Sequence, residues 1–438
     1  MGLSSTQIDP TTPDSAHVAD EASSPWAAST PPKALPTSST RRRSRWLRRL
    51  GILAGVGAVA TGALWYAIHE VPGFAPAVVD GVRSVVGPEP VAWIEDVAYG
   101  VADRVNQVRF GTAPPKTFWE PEVAPGAVAP GEGAVVPAVA AVVEGAGARV
   151  GPPPAFTPPY KGVATPGDGS WIPMVSGSAE GNAPVLWKSV VHPDPRRGFA
   201  AVAVVAIDLE GADVRLVAGT HEPVSVDKLP EEQRPGLVPR EHADDLLAAF
   251  NGGFKAMHGH YGMMLDGVSF LPPRGRACTI AFDREGKVRI RTWSKLKEHA
   301  ADFPTYRQTP PCLVEQGTLN TALSESNRDW GATVSGETII RRSALGVDES
   351  GRFLFYGLGE AVSSQAMARA MKAAGARDAA QLDVNHAYPR FLMFSRNAPG
   401  ETPVAAASLI PDVSFKPTEY ATDPAPRDFF YVARRKAR

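Results

Sequence analysis

Cysteine is nearly missing from this chain: Cys278 and Cys312 are the only two in 438 residues. That excludes a disulfide-dense scaffold, and two thiolates are too few for a structural zinc site by themselves. Net charge is missing as well, with 45 basic residues against 46 acidic ones. No overall field draws polyanions to such a chain, which argues against a nucleic-acid partner. Two catalytic signatures do not occur. There is no G-x-S-x-G elbow, against a serine hydrolase of that type, and no G-x-G-x-x-G that follows a strand and opens a helix, against a dinucleotide enzyme. No internal repeat is found. Residues 1–40 have almost no large apolar side chains, too few to offset the entropy of ordering, so they read as a disordered tail.

What is present begins with charge. Six arginines (Arg41, Arg42, Arg43, Arg45, Arg48 and Arg49) precede residues 50–68, which contain no charged side chain. As a helix that run would rise about 28 Å, close to the ~30 Å hydrocarbon core of a bilayer. Trp65 and Tyr66 stand at its far end, where amphipathic rings favour the interface. Residues 41–69 therefore read as an arginine flank and a single transmembrane anchor. Arginines on the N-terminal side stay cytoplasmic, which places the rest of the chain outside, in a periplasm or at the cell surface. A cleaved signal peptide is the alternative, and the paired arginines match a twin-arginine export signal only loosely. Gly51 and Gly55 form a GxxxG pair through which two anchors would make a homodimer.

Residues 70–110 read as membrane-proximal amphipathic helices, packed beside the membrane or against a second copy, or equally as a solvent helix with a partner inside the protein. Val91, Ile94, Val97, Val101, Val105 and Val108 recur at helical spacing. Residues 111–169 turn to Pro, Ala and Gly and read as a stiff linker, leaving 170–438 as the globular domain.

Within that domain, strand and turn signals dominate. Residues 199–208 and 214–218 are strand-like across Glu210-Gly211-Ala212, 281–288 reads as a hairpin turn, and 338–347 pairs with 353–356 around Asp348-Glu349-Ser350-Gly351. One helix is predicted over 363–374, opened by Ser363-Ser364 and stopped by Gly375. Residues 429–432 read as a closing strand. The expected class is α+β, a largely antiparallel or mixed sheet with few helices. Cys278 and Cys312 are either a disulfide or two separate core thiols; sequence leaves both open. His192, His221 and His242 read as surface or turn residues.

Three segments carry chemistry. Phe250-Asn251-Gly252-Gly253-Phe254 ends an apolar approach, and paired glycines let backbone come close to a ligand, although Asn-Gly is also a common tight turn. Arg342-Ser343-Ala344-Leu345-Gly346 follows, and then the helix. An apolar strand ends at Asp383, which either points a carboxylate into a site or caps a turn.

The order of these pieces resembles the phosphodiester glycosidase family. Its members show an Asn-Gly-Gly-Phe segment, a later Arg-(Ser/Thr)-Ala-(Ile/Leu)-Gly segment, and a helix leading to Leu-Asp-Gly-Gly-Gly-Ser. Gly262-Met263-Met264-Leu265-Asp266-Gly267 and the segment from Pro311 to Gly317 also look similar, so the resemblance covers roughly 200–435. It implies hydrolysis of sugar-1-phosphodiesters, with a glycan or sugar-phosphate as ligand; together with the anchor read from residues 41–69, the expectation is a membrane-anchored envelope hydrolase. Asp383, His386 and Arg342 would be the catalytic set, and Asn251, Gly252, Gly253 and Phe254 the ligand cradle. The chain departs from the family after Asp383, where Val384-Asn385-His386-Ala387 replaces the glycines and the hydroxyl. Either a different ligand is bound or the activity is lost. The alternative function is a non-catalytic envelope module that binds polysaccharide or a protein. The cofactor is open. His258, His260 and Asp266 are weak candidates for a divalent metal, against the reading of an H-x-H pair as exposed polar filler.

Overall fold

Side-chain alternation along the long apolar strands decides the architecture. A computed structural model describes residues 104–105, 107–111, 114–119, 151–174, 183–324, 330, 339–385, 387–396, 398 and 400–436. The largest sheet runs β1 (Ile172–Pro173), β2 (Leu186–Val191), β3 (Val202–Asp208), β14 (Phe353–Val362), β13 (Ile340–Val347), β15 (Asp378–Gln381), β11 (Val314–Glu315) and β12 (Thr318–Leu319). A second has β7 (Val268–Leu271), β6 (Met263–Leu265), β10 (Thr305–Thr309), β8 (Cys278–Phe282) and β9 (Val288–Thr292). The third has β17 (Val404–Ser408), β16 (Phe391–Ser395), β5 (Leu246–Asn251), β18 (Phe429–Arg434) and β4 (Ala212–Val217). Neighbouring strands pair antiparallel throughout. The fold is the mostly antiparallel α+β arrangement expected.

Every residue of β3 is buried. Ala203, Val205 and Ile207 enter a central core shared by all three sheets, with Phe250, Ile280 and Phe430. Val202, Val204 and Ala206 enter a second core on the opposite face. Helix α1 (Ser364–Ala373) covers that second face with Met367 and Met371. A strand apolar on both faces is the mark of a sheet covered on both sides. β3 and β4, which read as neighbours in sequence, belong to different sheets, because the turn at Gly211 redirects the chain.

The helix begins as expected. Ser363 accepts the Ala366 N–H at 3.0 Å, and Gly375 ends it at φ 107°. Ser363→Ala is expected to cost about 1 kcal/mol, seen as a lower urea midpoint with an unchanged slope. Cys278 and Cys312 are joined by a disulfide that ties β8 to the segment after β10.

Two expectations need correction. Parts of the 111–169 linker pack on the domain. Phe118 and Trp119 lie against the central core, and Phe156 contacts Trp171, which stacks on Phe355. Aromatic side chains in a Pro-rich stretch supply the apolar area that a free spacer lacks, so the domain starts before residue 170. His192 is fully buried rather than at the surface. Its Nδ1 meets Asp168 at 2.8 Å and its Nε2 meets the Lys116 carbonyl at 2.8 Å. The ring clamps the incoming segment to the sheet.

Of the predicted amphipathic helices, the described residues 107–110 are helical, and Val105 and Val108 are exposed. No helix among the described residues is long and apolar enough to cross a membrane. The 1–40 tail, the arginine flank and the 50–68 run lie outside the described residues.

Candidate active site

The end of β5 delivers Asn251 to the meeting point of two sheets. Asn251 is fully buried. Its amide donates to Ser343 Oγ at 2.9 Å, and its Oδ1 accepts from the Tyr356 hydroxyl at 2.8 Å. Ser343 in turn donates to the Asp383 carbonyl at 3.1 Å, and Asp383 N–H donates to Gly252 O at 3.2 Å. The Asn-Gly-Gly segment is thus stitched to the end of the strand that leads to Asp383. A buried amide with every polar atom matched fixes position strongly.

The glycines serve a purpose different from the cradle expected. A Cβ on Gly252 would lie 2.2 Å from Asp428 Oδ2, and one on Gly253 would lie 2.6 Å from Arg307 Cζ. The space beside them is already filled by an ion pair, Arg307 Nε to Asp428 Oδ2 at 2.8 Å, with both side chains almost wholly buried. Gly253 N–H donates to the same carboxylate at 2.9 Å, and Phe254 O accepts from Arg307 at 2.5 Å. Close approach is indeed what the glycines permit. What approaches is the protein's own charged pair.

Asp383 is 2% exposed and forms an ion pair with Arg427. Its Oδ1 also accepts Asn385 N–H at 2.8 Å, which turns the chain outward through half-exposed Val384 and Asn385. Arg427 donates to Gly253 O at 3.2 Å, and the Tyr388 ring lies over it, 3.9 Å from guanidinium carbon to ring centroid. Burial, followed by the nearby Tyr420 and Asp428, raises the Tyr388 phenol well above its ordinary range, so it stays protonated and neutral. Arg390 binds Glu419 at 2.5 Å and gives its own N–H to Asn251 Oδ1 at 3.2 Å. These contacts join Asn251, Gly252, Gly253 and Asp383 with Arg427, Asp428, Arg307 and Tyr388.

Arg342 does not join them. It donates to Val362 O, Trp330 O and Gln381 Oε1 at 2.9, 2.6 and 2.9 Å. Successive residues of a strand face opposite ways, so Ser343 points at Asn251 while Arg342 points to the helix-covered face. Burial pushes its guanidinium down to about 9, still charged at neutral pH. The arginine beside the acid is Arg427. His386 lies outside the described residues. His260 and Asp266 are exposed turn residues at positive φ, and Asp266 accepts from Thr305 Oγ1 at 3.2 Å. Among the described residues no three His, Cys, Asp or Glu side chains gather as a metal-binding group, so His258, His260 and Asp266 do not form one.

Residues 244–383 match the family model described as phosphodiester glycosidase. That stretch, about a third of the chain, is similar to the phosphodiester glycosidase family. The match includes Asn251, Arg342 and Asp383 and stops where the chain loses the family's glycine-rich loop. No curated protein matches. Among solved structures, the catalytic domain of zebrafish N-acetylglucosamine-1-phosphodiester alpha-N-acetylglucosaminidase is 15% identical, covering 60% of this chain and 87% of its own, with a TM-score of 0.36. A hypothetical protein from Synechocystis is 12% identical over 57% of this chain and 62% of its own, with a TM-score of 0.38.

The charged cluster extends beyond the matched segment. Arg427 and Asp428 sit 44 and 45 residues past Asp383, directly before β18. An Arg-Asp dipeptide opening an apolar strand was the available signal, and sequence reasoning passed over it. Arg307 and Tyr388 gave no signal that distinguished them from ordinary strand and loop residues, and Ser343 stood inside the Arg342–Gly346 motif without a role of its own.

Proposed function

We propose that the chain hydrolyses glycosyl phosphodiesters, cutting between the anomeric carbon and the phosphate oxygen, at Asp383, Arg427 and the 384–388 loop. The observation that carries this reading is the placement of Asp383. It stands two residues beyond the end of core strand β15, beside the guanidinium of Arg427, and leads through Val384 and Asn385 toward the surface. As the bond from C1 to oxygen breaks, positive charge gathers on the sugar ring, and a fixed carboxylate stabilises it. A guanidinium suits the phosphoryl oxygens, which it can meet with two parallel hydrogen bonds. Water supplies the oxygen that ends on the sugar, and the phosphate leaves as a monoester. His386, three residues past Asp383 in the sequence, is the group we assign to proton transfer.

We further read residues 50–68 as a single membrane anchor holding the domain outside the cytoplasm. Six preceding arginines support that orientation, and the Cys278–Cys312 disulfide suits an oxidising compartment.

The test incubates the full chain with a panel of sugar-1-phosphodiesters in ¹⁸O water, with and without chelator. Turnover with the label on the released sugar is expected; label on phosphate would mean cleavage on the other side of the ester oxygen. A second reading, a glycan-binding module without turnover, is favoured by the burial of Asp383. No turnover together with tight glycan binding would decide for it.

A further inference from the structure

Three of the few exposed large apolar side chains among the described residues gather on two loops. Val224 is 59% exposed, Val226 72% and Met257 58%. Both loops are rooted at Arg427. His221 and Glu222 donate their N–H groups to the Pro426 carbonyl at 3.1 and 2.8 Å, one residue before Arg427. Gly219 lies so close that a Cβ there would sit 2.3 Å from the Arg427 backbone. The second loop continues from Gly253, whose carbonyl Arg427 holds, and Met257 follows four residues on. One carboxylate fastens the two together, since Glu222 Oε2 accepts from Val224 N at 3.1 Å and from Ala256 N at 2.9 Å. Arg234 braces the first loop through Gly219 O at 3.1 Å and Pro223 O at 2.6 Å. Polar anchors therefore hold apolar side chains in water, at the edge of the charged cluster, where folding gains nothing from them.

We propose that Val224, Val226 and Met257 seat an alkyl arm, so that the substrates are glycosyl phosphodiesters whose second ester is a lipid alcohol. This rests on the reading of the site as a phosphodiester glycosidase. A phosphodiester carries two arms. With the phosphate on Arg427 and the sugar at Asp383, the second arm leaves along the loops that rise from Arg427, where Val224, Val226 and Met257 stand exposed between the polar side chains of His221, Asp227, Lys228 and His260. A macromolecular partner fits poorly, because a stable protein contact takes about 800 Å² and some 20–30 residues per side. An anionic head with an alkyl tail matches both the guanidinium and the three side chains.

The test uses the full chain and the methyl, hexyl and decyl diesters of whichever sugar 1-phosphate is turned over, below their micelle concentrations. For the wild type, KM is expected to fall roughly twofold to fourfold per methylene until the patch is covered, at least tenfold from methyl to decyl. The triple variant Val224→Ser, Val226→Ser, Met257→Ser should lose that dependence and keep wild-type kcat/KM on the methyl diester. Equal KM values across chain lengths, or a dependence retained in the variant, overturn the proposal. A parallel measurement compares calorimetric binding of decyl phosphate and inorganic phosphate to both proteins. If no diester turns over but the variant loses its preference for decyl phosphate, the hydrolase reading fails and the alkyl seat stands. If wild type shows no preference for decyl phosphate, the alkyl seat fails.

Discussion

Asp428→Ala is expected to destabilise the domain by about 3–5 kcal/mol, because it strands the Arg307 guanidinium in a dry interior. The pair is almost fully buried, with side-chain exposures of 0% for Arg307 and 1% for Asp428. Arg307 would keep the carbonyls of Tyr261, Gln308 and Phe254, but would lose its only ion-paired carboxylate among the described residues. Gly253 N–H would lose its acceptor as well. For a domain of this size the loss corresponds to a fall in Tm on the order of 10 °C. Adding Arg307→Met should recover part of it, since an apolar pair often replaces a buried ion pair at little cost. A single variant that melts within a degree of wild type would show that the pair is peripheral to the fold.

Asp383→Asn should lower kcat on a glycosyl phosphodiester by roughly 10²–10⁴-fold with a smaller change in KM, if the carboxylate acts at the reacting carbon. The amide preserves the size of the side chain and the acceptor for Asn385 N–H. It removes the charge that faces Arg427, so a Tm lower by several degrees is expected alongside. Catalytic and structural roles separate in the kinetics. A purely structural Asp383 would leave kcat of the folded fraction intact at low temperature, and that result would assign Asp383 to the fold alone. Arg342→Lys offers a contrast. It perturbs the helix-covered face, where Trp330 O and Gln381 accept from the arginine, and should alter stability ahead of kinetics.

Local features were legible. The capped helix, the hairpin at Asp283–Gly286, the β13–β14 pair and the closing strand all rest on short-range signals that a linear reading captures: turn chemistry, a capping serine, runs of branched apolar residues. Where signals depend on distant partners, reading failed. His192, between prolines and an aspartate, looked like a surface turn, yet Asp168 and Lys116 enclose it. The Pro-rich 111–169 stretch looked like a spacer until its aromatic residues found the core.

The sequence alone determined the antiparallel α+β class and the likeness of residues 244–383 to phosphodiester glycosidases, and it singled out Asn251, Gly252, Gly253 and Asp383 as candidates, because periodicity and motif order are carried by neighbours along the chain. Only the tertiary structure decided which arginine stands beside the acid and what the glycines make room for. Arg342 and Ser343 are adjacent in sequence and opposite in space, since a strand turns alternate side chains to opposite faces. Arg427 and Asp428 reach the same spot from the far end of the chain, by antiparallel pairing of β18 with β5.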